Sequence, residues 1–414
     1  MSSSGSTLSP TEATDLDPDR RIVALLATLI GFDTTSAKSN LAMIEWLETY
    51  LAGLGARTER FASDDGRKAG LWATFGPIDR PGIVLSGHTD VVPTAGQSWS
   101  GDPYALRQAG QRLTGRGACD MKGFLAVVLA LLPELDKSRL AKPLHLSFSY
   151  DEEVGIVGVR QMLRRVMARI PRPFGCIVGE ATGMNIIIGH KGKRAETVTV
   201  RGKAIHSALA PQGVNAIGHA ARLITFINGL QAFVRDRCEP DAAFEVPYPT
   251  INVGPIRGGQ SVATVADFCT FDYEIRGQAG TRFDEIVTTV HDHARHHLLP
   301  EMHQVSPDCG IDFAFHTDYP AFEIEPDHTL VRLAATLLPN ADIRKMSGGT
   351  EAGLFAQIAD VPTVIIGPGF IEQAHQADEY VELDQLMRCR SFLQKLLQQT
   401  VLAQADGTTG TTLA

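Results

Sequence analysis

The chain has 414 residues, a length that favours two domains, and its 44% apolar and 21% charged residues are typical of a soluble globular protein. The net charge of -9 and the lack of a dense lysine and arginine cluster argue against a nucleic-acid or anionic-membrane partner. The six sparse cysteines form no CxxC pair and suit a reducing compartment. With no apolar stretch of the roughly 18 residues needed to cross a bilayer, the sequence predicts a cytoplasmic protein without a membrane partner.

Polar segments at the two ends, residues 1–19 and 405–414, are predicted to be disordered. Between them, the first half of the chain alternates helical and extended patterns. Helices are predicted at 20–32, 39–55, 121–135 and 155–170, and strands at 70–76, 82–88, 144–150 and 175–180. Continuously apolar strands separated by helices favour a mostly parallel sheet covered on both faces, so this part is expected to be an α/β domain.

The middle of the chain follows another pattern, with strand, helix, strand, strand, helix and strand in succession. This order predicts an inserted α+β domain of ferredoxin-like βαββαβ type at 190–318. Helix and strand signals of the first kind resume afterwards and end in a helix from about 383. The α/β catalytic domain is therefore assigned to 20–189 and 319–404.

Acidic residues and histidines follow several of the predicted strands of the α/β domain. In open α/β sheets, ligands bind outside the carboxyl ends of the strands. The residues found there are His88, Asp90, Asp120, Asp151, Glu152, Glu153, Glu180 and His375.

Several carboxylates in one cleft repel each other unless a cation holds them. Imidazole and carboxylate without paired thiols suit zinc, or less selectively cobalt or manganese. One tetrahedral ion needs fewer ligands than the sequence offers, whereas two ions sharing a bridging carboxylate could use five ligands and leave room for water.

Each of these residues also has a purely structural interpretation. A histidine at a strand end is often structural, Asp90 could cap a turn, and Asp120 could cap the next helix. Glu152 and Glu153 could be a solvated helix start. Their shared place at strand ends gives the functional interpretation about the same weight as the structural one.

Three other patterns are set aside. Cys119 has no recognisable Cys/His signature around it and is expected to be a small buried residue. The stretch 115–120 has two glycines without the full nucleotide-binding fingerprint. The histidine-rich stretch 291–297 spreads its rings over more than one helix face, so it is expected to be a solvated or interface surface.

Six motifs in order resemble the acetylornithine deacetylase and succinyl-diaminopimelate desuccinylase family of dinuclear zinc amidohydrolases. They are SGHTDVVP, LTGRGACDMKG, DEEVG, GEAT, HKGKRAETVTVRGKAIHSA and GPGFIEQAHQADEYV. The resemblance extends from about 20 to 400 and implies two bound metal ions, with Zn2+ first and Co2+ or Mn2+ possible.

The resemblance implies a role for each matching residue. Asp120 would bridge the two ions and precede an unusual cis peptide bond to Met121. His88 and Glu180 would complete one metal site, and Glu153 and His375 the other. Asp90 would orient His88, as carboxylates commonly do for a metal-bound imidazole.

The catalytic roles implied by the resemblance involve both domains. Glu152 would be the general base, and His206 of the inserted domain would stabilise the oxyanion, often across a dimer in related enzymes. Arg276 would bind the substrate carboxylate, because a guanidinium group can form two hydrogen bonds with a carboxylate. Glu351 could pair with a substrate ammonium, or Thr350 and Glu351 could cap a helix. A homodimer through the inserted domain is also expected.

The expected reaction is hydrolysis of the amide bond of an N-acyl amino acid, with N2-acetylornithine as the first candidate. Another N-acyl-amino-acid hydrolase, such as a desuccinylase or aminoacylase, or a dipeptide-type metallo-exopeptidase, is the alternative. A catalytically silent relative that binds an amino-acid derivative is a third possibility. Residues 347–353 combine features of the deacetylase and desuccinylase patterns. Ala263, Ala266 and Ala181 replace an Asn and two prolines usual in the family, which leaves the substrate open.

Overall fold

The structure is a computed structural model, and it describes residues 9–403. The described chain divides into two compact units. Unit 1 comprises 9–189, Glu323–Lys345 and 350–403, and unit 2 comprises His190–Phe322 and Met346–Gly349. The predicted insert spans 190–318. Unit 2 begins at the same residue, ends four positions later at Phe322, and also includes the short segment Met346–Gly349.

Unit 1 opens with helices and then builds most of a large sheet. Its elements up to the start of unit 2 are α1 (Pro10–Thr14), α2 (Pro18–Gly31), α3 (Leu41–Gly53), β1 (Arg57–Ala62), β2 (Ala69–Phe75), β3 (Ile83–His88), β4 (Arg107–Ala109), β5 (Arg112–Thr114), α4 (Lys122–Leu131), β6 (Leu144–Ser149), α5 (Gly158–Met167), β7 (Gly175–Val178) and β8 (Ile186–His190).

Unit 2 contains four strands and three helices, and the remaining elements follow it along the chain. The unit 2 elements are β9 (Gly192–Arg201), α6 (Ala216–Asp236), β10 (Thr250–Gly258), β11 (Phe268–Gly277), α7 (Phe283–His293), α8 (Leu299–Val305) and β12 (Gly310–Tyr319). The later elements are β13 (Phe322–Glu323), α9 (Thr329–Leu337), β14 (Ile343–Met346), α10 (Ala352–Ala359), β15 (Thr363–Ile365), β16 (Tyr380–Glu382) and α11 (Leu383–Thr400).

The large sheet has nine strands, in the order β1-β2-β6-β3-β7-β15-β8-β13, with β14 paired to β8. The central strands β6, β3, β7 and β15 are parallel, whereas β1 with β2, β2 with β6, and β15 with β8 are antiparallel. The predicted α/β fold is confirmed, and its parallel part is the centre of a mixed sheet. The carboxyl ends of these four parallel strands therefore lie at one edge.

Burial accounts for the apolar runs of the strands in the middle of the sheet, although β3 and β6 also carry buried polar residues such as Ser86, His88 and His145. Every residue of β2, β3, β6 and β7 is buried, as expected for strands covered on both faces. All ten residues of α4 are buried as well, so this helix lacks the polar face of a surface helix. At about 25 cal/mol per Å2 of apolar surface removed from water, such burial is the main stabilising contribution to unit 1.

The four-stranded sheet of unit 2 has the order β10-β11-β9-β12, and all three neighbouring pairs are antiparallel. With α6 and α7 between the strands, this is the predicted βαββαβ arrangement. Alternate residues of β11 are buried, including Phe271, Tyr273 and Ile275, and they pack with α6 residues such as Leu223 and Ile227 in one core. The period-two pattern of the sequence thus corresponds to a sheet with one face on that core.

Local details differ from the sequence predictions at two places. The segment predicted to be disordered, 1–19, includes α1 and the start of α2, while 1–8 and 405–414 lie outside the described residues. Helix α5 begins at Gly158 and not at 155, because residues 152–155 form a turn that carries the side chains of Glu152 and Glu153. Among residues 9–403, no helix is both long enough and apolar enough to cross a membrane.

Candidate metal centre

His88 is the last residue of β3 and is 1% exposed. Its Nδ1 lies 2.9 Å from the backbone carbonyl oxygen of Asp90, and a carbonyl can only accept, so Nδ1–H donates this hydrogen bond. In the neutral ring, Nε2 then has a free lone pair, and this atom lies 2.9 Å from Asp120 Oδ1 and 3.7 Å from Glu180 Oε1. The tautomer is therefore the one in which Nε2 can bind a metal.

Asp120 lies on the loop before α4 and faces an imidazole on each side. Its Oδ1 contacts His88, and its Oδ2 lies 3.0 Å from Nε2 of His375. The peptide bond between Asp120 and Met121 is cis, as the motif resemblance implies. One carboxylate between two imidazoles has the geometry of a ligand that could bridge two cations.

The turn after β6 carries Glu152 and Glu153, and Asp90 fixes its position. The Asp90 carboxylate accepts hydrogen bonds from the backbone N–H of Glu152 at 3.1 Å, from that of Glu153 at 3.3 Å and from the Ser36 hydroxyl at 2.7 Å. Its Oδ1 is 3.5 Å from Nδ1 of His88. Asp90 therefore positions the acidic turn through backbone amides and contacts His88 mainly through its own carbonyl group.

The predicted ligands come together in two overlapping groups. His88, Glu152 and Glu180 form one, and His88, Asp120 and Glu153 the other, with one ligand atom per residue within 4.8 Å of the rest. His375 joins the second group through Nε2, which is 3.2 Å from Glu153 Oε2. A carboxylate oxygen of Glu152, the predicted base, thus lies within 4.8 Å of the ligand atoms of His88 and Glu180.

The electrostatics of this cluster are those of crowded carboxylates. Burial and the neighbouring Asp120 carboxylate raise the pKa of Glu153 to about 6. Burial raises the pKa of Glu152 and Glu180 well above the usual range, and their nearest acidic neighbours add to the effect. Hydrogen bonds to Asp120 and Glu153 raise the pKa of His375 to about 11. Without a cation, protons on these groups must offset the negative charge.

These residues fit a divalent metal centre. Oε1 of Glu153 is buried and has no hydrogen-bond partner among residues 9–403, so one carboxylate oxygen is available as a ligand. Four carboxylates and two imidazoles are oxygen and nitrogen ligands of the kind that zinc, cobalt and manganese bind. A cation would neutralise the repulsion that raises the carboxylate pKa values.

The structural alternatives for Asp120, Glu152 and Glu153 are not observed, whereas Asp90 does bind the backbone of a turn. The N-cap residue of α4 is Met121, so Asp120 does not cap that helix. Glu152 and Glu153 precede α5 by several residues, so they are not a solvated helix start. Cys119 is 1% exposed and its burial raises the thiol pKa, which agrees with the expected small buried residue.

Glu351 requires a correction. The residue is 0% exposed, and its two carboxylate oxygens accept hydrogen bonds from the hydroxyls of Ser86 in β3 and Ser149 in β6. A carboxylate enclosed in this way is not available to a substrate ammonium, so the predicted substrate contact is wrong. The helix-cap alternative applies to Thr350, whose hydroxyl accepts from the Ala352 N–H at 3.1 Å, and not to the Glu351 side chain.

His206 and Arg276 belong to unit 2. His206 is exposed, and its Nδ1 accepts a hydrogen bond from the Ala208 N–H at 3.1 Å. Arg276 Nε lies 2.8 Å from Glu274 Oε1, and the Arg276 side chain is 32% exposed. Their predicted contacts with substrate stay predictions.

The histidine-rich stretch 291–297 forms no metal-ligand group within the part of the chain that the structure describes. His291 Nε2 lies 2.8 Å from Glu196 Oε2, and the His293 ring stacks on Phe226 with centroids 3.7 Å apart. These rings are used in packing and hydrogen bonding within unit 2.

The sequence interpretation missed Glu379. This residue is 1% exposed, and its Oε1 accepts hydrogen bonds from the backbone N–H groups of Cys119 and Asp120, both at 3.0 Å. The sequence feature that could have identified Glu379 is its position four residues after His375, inside the same motif. A buried acid beside a predicted ligand is a candidate for a supporting role.

Comparisons with known proteins agree with this geometry. Residues 84–399 match the family model described as peptidase family M20/M25/M40. The chain is 33% identical over 379 residues to the acetylornithine deacetylase of Pasteurella multocida (strain Pm70), covering 91% of this chain and 96% of that protein.

Solved structures agree in fold. An M20 family metallo-carboxypeptidase from Sulfolobus solfataricus has a TM-score of 0.76 at 18% identity, covering 92% of this chain and 99% of that one. A dinuclear metal-binding peptidase of the M20 family from Bacillus subtilis has a TM-score of 0.61 at 14% identity, covering 92% and 97%. With the family model matching most of its length and a metal-ligand cluster at the expected strand ends, the chain belongs to peptidase family M20/M25/M40.

Proposed function

We propose that this chain hydrolyses the amide bond of an N-acyl amino acid, with N2-acetylornithine as the first candidate substrate and ornithine and acetate as products. The observation that carries the proposal is the cluster in which the buried Asp120 lies between the buried His88 and the half-exposed His375. The similarity to a protein named acetylornithine deacetylase, over nearly the full length of both chains, supports the choice of substrate.

The proposed cofactor is a pair of Zn2+ ions, with Co2+ or Mn2+ as alternatives. Asp120 would bridge the pair, His88 and Glu180 would complete one site, and Glu153 and His375 the other. When bound, the ions would polarise the substrate carbonyl and lower the pKa of a water molecule.

The chain's own residues supply the proton transfers. Glu152 would accept a proton from the attacking water and deliver it to the leaving amine, so that amide and water become carboxylate and amine. Asp90 would keep the turn that holds Glu152 in place, since its carboxylate binds the Glu152 N–H. Glu152 would therefore act as a general base that is held at a fixed position beside the substrate carbonyl.

Two residues of unit 2 have proposed substrate contacts. His206 would donate a hydrogen bond to the oxyanion that forms on the carbonyl oxygen. Arg276 would bind the carboxylate of the amino acid through its guanidinium fork. Both assignments rest on the motif resemblance alone.

The alternative substrates are those of other enzymes in the same family. Ala263 and Ala266, in place of the usual Asn and Pro, remove an amide that often contacts the substrate in relatives. Another acyl group, or a dipeptide, therefore stays a second candidate. A homodimer through unit 2 and a cytoplasmic location are further proposals. The dimer is supported by the exposed side chain of Ile256 on the edge strand β10 and by that of Val262 in the loop after it.

A hydrolysis panel tests the proposed function. Acetyl, succinyl, carbamoyl and aminoacyl derivatives of several amino acids are assayed with the metal-loaded protein, with and without a chelator. We expect chelator-sensitive turnover that is fastest on N2-acetylornithine. Turnover that is fastest on a succinyl or aminoacyl derivative would select the alternative, and metal binding without any turnover would favour a protein that only binds amino-acid derivatives.

A further inference from the structure

A buried ion pair that no proposed catalytic step uses joins the loop before α4 to the residue that precedes β16. Arg116 Nη1 lies 2.6 Å from Glu379 Oε2, and each of the two side chains is 1% exposed. Removing two charges from water is expensive, and further hydrogen bonds to both residues offset part of this cost, although Arg116 Nε has no partner among residues 9–403. The partners of these two residues indicate what the pair does.

Glu379 holds the backbone that presents Asp120. Its Oε1 accepts from the N–H groups of Cys119 and Asp120, each at 3.0 Å, while Arg116 binds its other oxygen. A carboxylate binds backbone amides more strongly than a neutral group does. Because Arg116 neutralises it, Glu379 can hold the Asp120 backbone with little added negative charge beside the metal centre.

Arg116 is also connected to His375 by hydrogen bonds through Gln97. Its Nη2 donates to Oε1 of Gln97, and the amide nitrogen of Gln97 donates to the backbone carbonyl oxygen of His375 at 2.9 Å. The indole N–H of Trp99 donates to the same Gln97 oxygen at 3.1 Å, and the Arg116 guanidinium lies 5.0 Å from the Trp99 ring centre. Gln97 therefore links the buried ion pair to a predicted ligand.

His375 needs this support more than the other predicted ligands. Its φ is +60°, a left-handed conformation that a non-glycine residue adopts only when its surroundings hold it there. Its side chain is 49% exposed, whereas those of His88, Asp120 and Glu153 are at most 7% exposed. Packing alone therefore constrains this ring less than it constrains the buried ligands.

We propose that Glu379, Arg116 and Gln97 form a positioning network that holds Asp120 and His375 ready to bind a divalent cation. The network sets the metal affinity of the centre and takes no part in bond breaking. This inference rests on the proposed function through its metal ligands, and it adds three residues to which that proposal gave no role. Outer partners of metal ligands commonly change metal affinity by about 10–100-fold when they are removed.

Zn2+ affinity, measured by competition with a chelator, tests the network in the full-length protein. Gln97→Met removes the bond to His375 from a half-buried loop residue, and we expect about tenfold weaker binding of one Zn2+ per chain. Glu379→Gln, which also alters the Asp120 backbone, should weaken both ions. Gln394→Met, at an exposed position of α11, is the matched control and should bind Zn2+ as the unmodified chain does.

A second measurement separates positioning from general destabilisation. Metal-free Gln97→Met also loses the acceptor of Arg116 and Trp99, so its unfolding midpoint should fall slightly, but it should still unfold in one cooperative transition well above the assay temperature while its Zn2+ affinity falls. If Gln97→Met is folded and binds both ions with unchanged affinity, the network does not position the ligands and the inference is overturned. This result stands even if Glu379→Gln fails to fold.

The same samples distinguish failure of this inference from failure of the proposed function. If the variants lose Zn2+ affinity but the unmodified, metal-loaded chain hydrolyses no N-acyl amino acid, the network stands and the proposed function is wrong. If the unmodified chain hydrolyses its substrate and the variants bind Zn2+ normally, only the network is wrong.

Discussion

Charge repulsion among the carboxylates is the main constraint on the individual side chains of the metal centre. Burial and neighbouring carboxylates raise the pKa of Glu152, Glu153 and Glu180. The pKa of Asp120 is lowered despite its burial, because the two imidazoles hydrogen-bond to its carboxylate. Such a group is stable only with bound protons or bound cations. The role of each residue therefore depends on whether it binds a cation, moves a proton or holds a neighbour.

Glu152 is the residue whose substitution best separates these roles. We expect Glu152→Gln to lower kcat by about 10²–10⁴-fold while both metal ions remain bound, because the amide has similar size but cannot accept the water proton. Turnover and metal content per chain are measured on the same preparation. Since Glu152 lies within ligand distance of His88 and Glu180, loss of metal together with activity would instead identify it as a ligand.

Arg276 is predicted to act on binding and not on the chemical step. We expect Arg276→Ala to raise KM at least tenfold for substrates with a free carboxylate and to leave KM for amide-capped substrates nearly unchanged. Steady-state kinetics on a matched substrate pair measures this. Arg282→Ala, which removes an exposed arginine from the same unit, is the control. Equal losses on both substrates would mean that Arg276 chiefly holds Glu274, its partner at 2.8 Å.

At the scale of secondary structure, strand ends decide where the chemistry occurs. His88 ends β3, Glu152 and Glu153 follow β6, and Glu180 follows β7, and these three strands are parallel neighbours. Their ends therefore meet at one edge of the sheet. The serines that bind Glu351 lie on the same two strands, β3 and β6, so Glu351 ties together the strands that precede His88 and the acidic turn.

The pairing of β2 with β6 predicts a dependence of stability on pH. His145 of β6 is 1% exposed, its Nδ1 lies 2.9 Å from the Thr74 hydroxyl of β2, and burial lowers its pKa to about 4. Between about pH 6.5 and 4 the unfolded chain binds a proton that the folded chain does not. The stability contribution of neutral His145 is therefore present above pH 6.5 and is lost as pH falls, by at most about 3 kcal/mol.

Unfolding midpoints measured from pH 7 to pH 4 test this effect. We expect His145→Gln, which cannot titrate, to lose less stability on acidification than the unmodified chain does. His296→Gln at an exposed position should keep the original slope. Identical slopes for all three proteins would show that protonation of His145 does not contribute.

At the scale of the whole molecule, the edge strand β10 predicts self-association. Ile256 on this strand is 52% exposed and Val262 just after it is 98% exposed. An exposed strand edge with apolar side chains is a template for pairing with another chain. We expect a homodimer in solution, and we expect Ile256→Glu combined with Val262→Glu to shift it to monomer.

Sedimentation at micromolar protein concentrations measures the change in mass. The opposite edge of the same sheet offers a matched control, because Phe315 on β12 is 65% exposed and Phe315→Glu should leave the dimer intact. A dimer that resists the β10 substitutions but dissociates with Phe315→Glu would move the interface to the other edge.

Sequence patterns were sufficient for the fold class, and they also yielded predictions of the insert and of the ligand positions. Continuous apolar runs predicted the buried strands, and the period-two pattern of 195–202 predicted the half-buried strand β9, because side-chain direction alternates along a strand whatever the rest of the fold. His88, Asp120, Glu153, Glu180 and His375 could be proposed because each follows such an element or matches a family motif.

Other features depended on contacts between residues far apart in the chain. Glu351 looked like a helix start or substrate contact, but residues about 200 or more positions earlier enclose it. Gln97 carried no local signal, and Glu379 carried only its place in the motif of His375, because their importance lies in a hydrogen-bond chain that joins three separate segments, at 97, 116–119 and 375–379.

The sequence by itself therefore determined which elements form, which faces are apolar and which residue types collect at strand ends, since these follow from local periodicity and motif order. Only the tertiary structure decided which carboxylate faces which imidazole, which acid is enclosed by serines and which buried pair supports the ligands. Hydrogen bonds and ion pairs act over about 3 Å in space and are independent of separation along the chain.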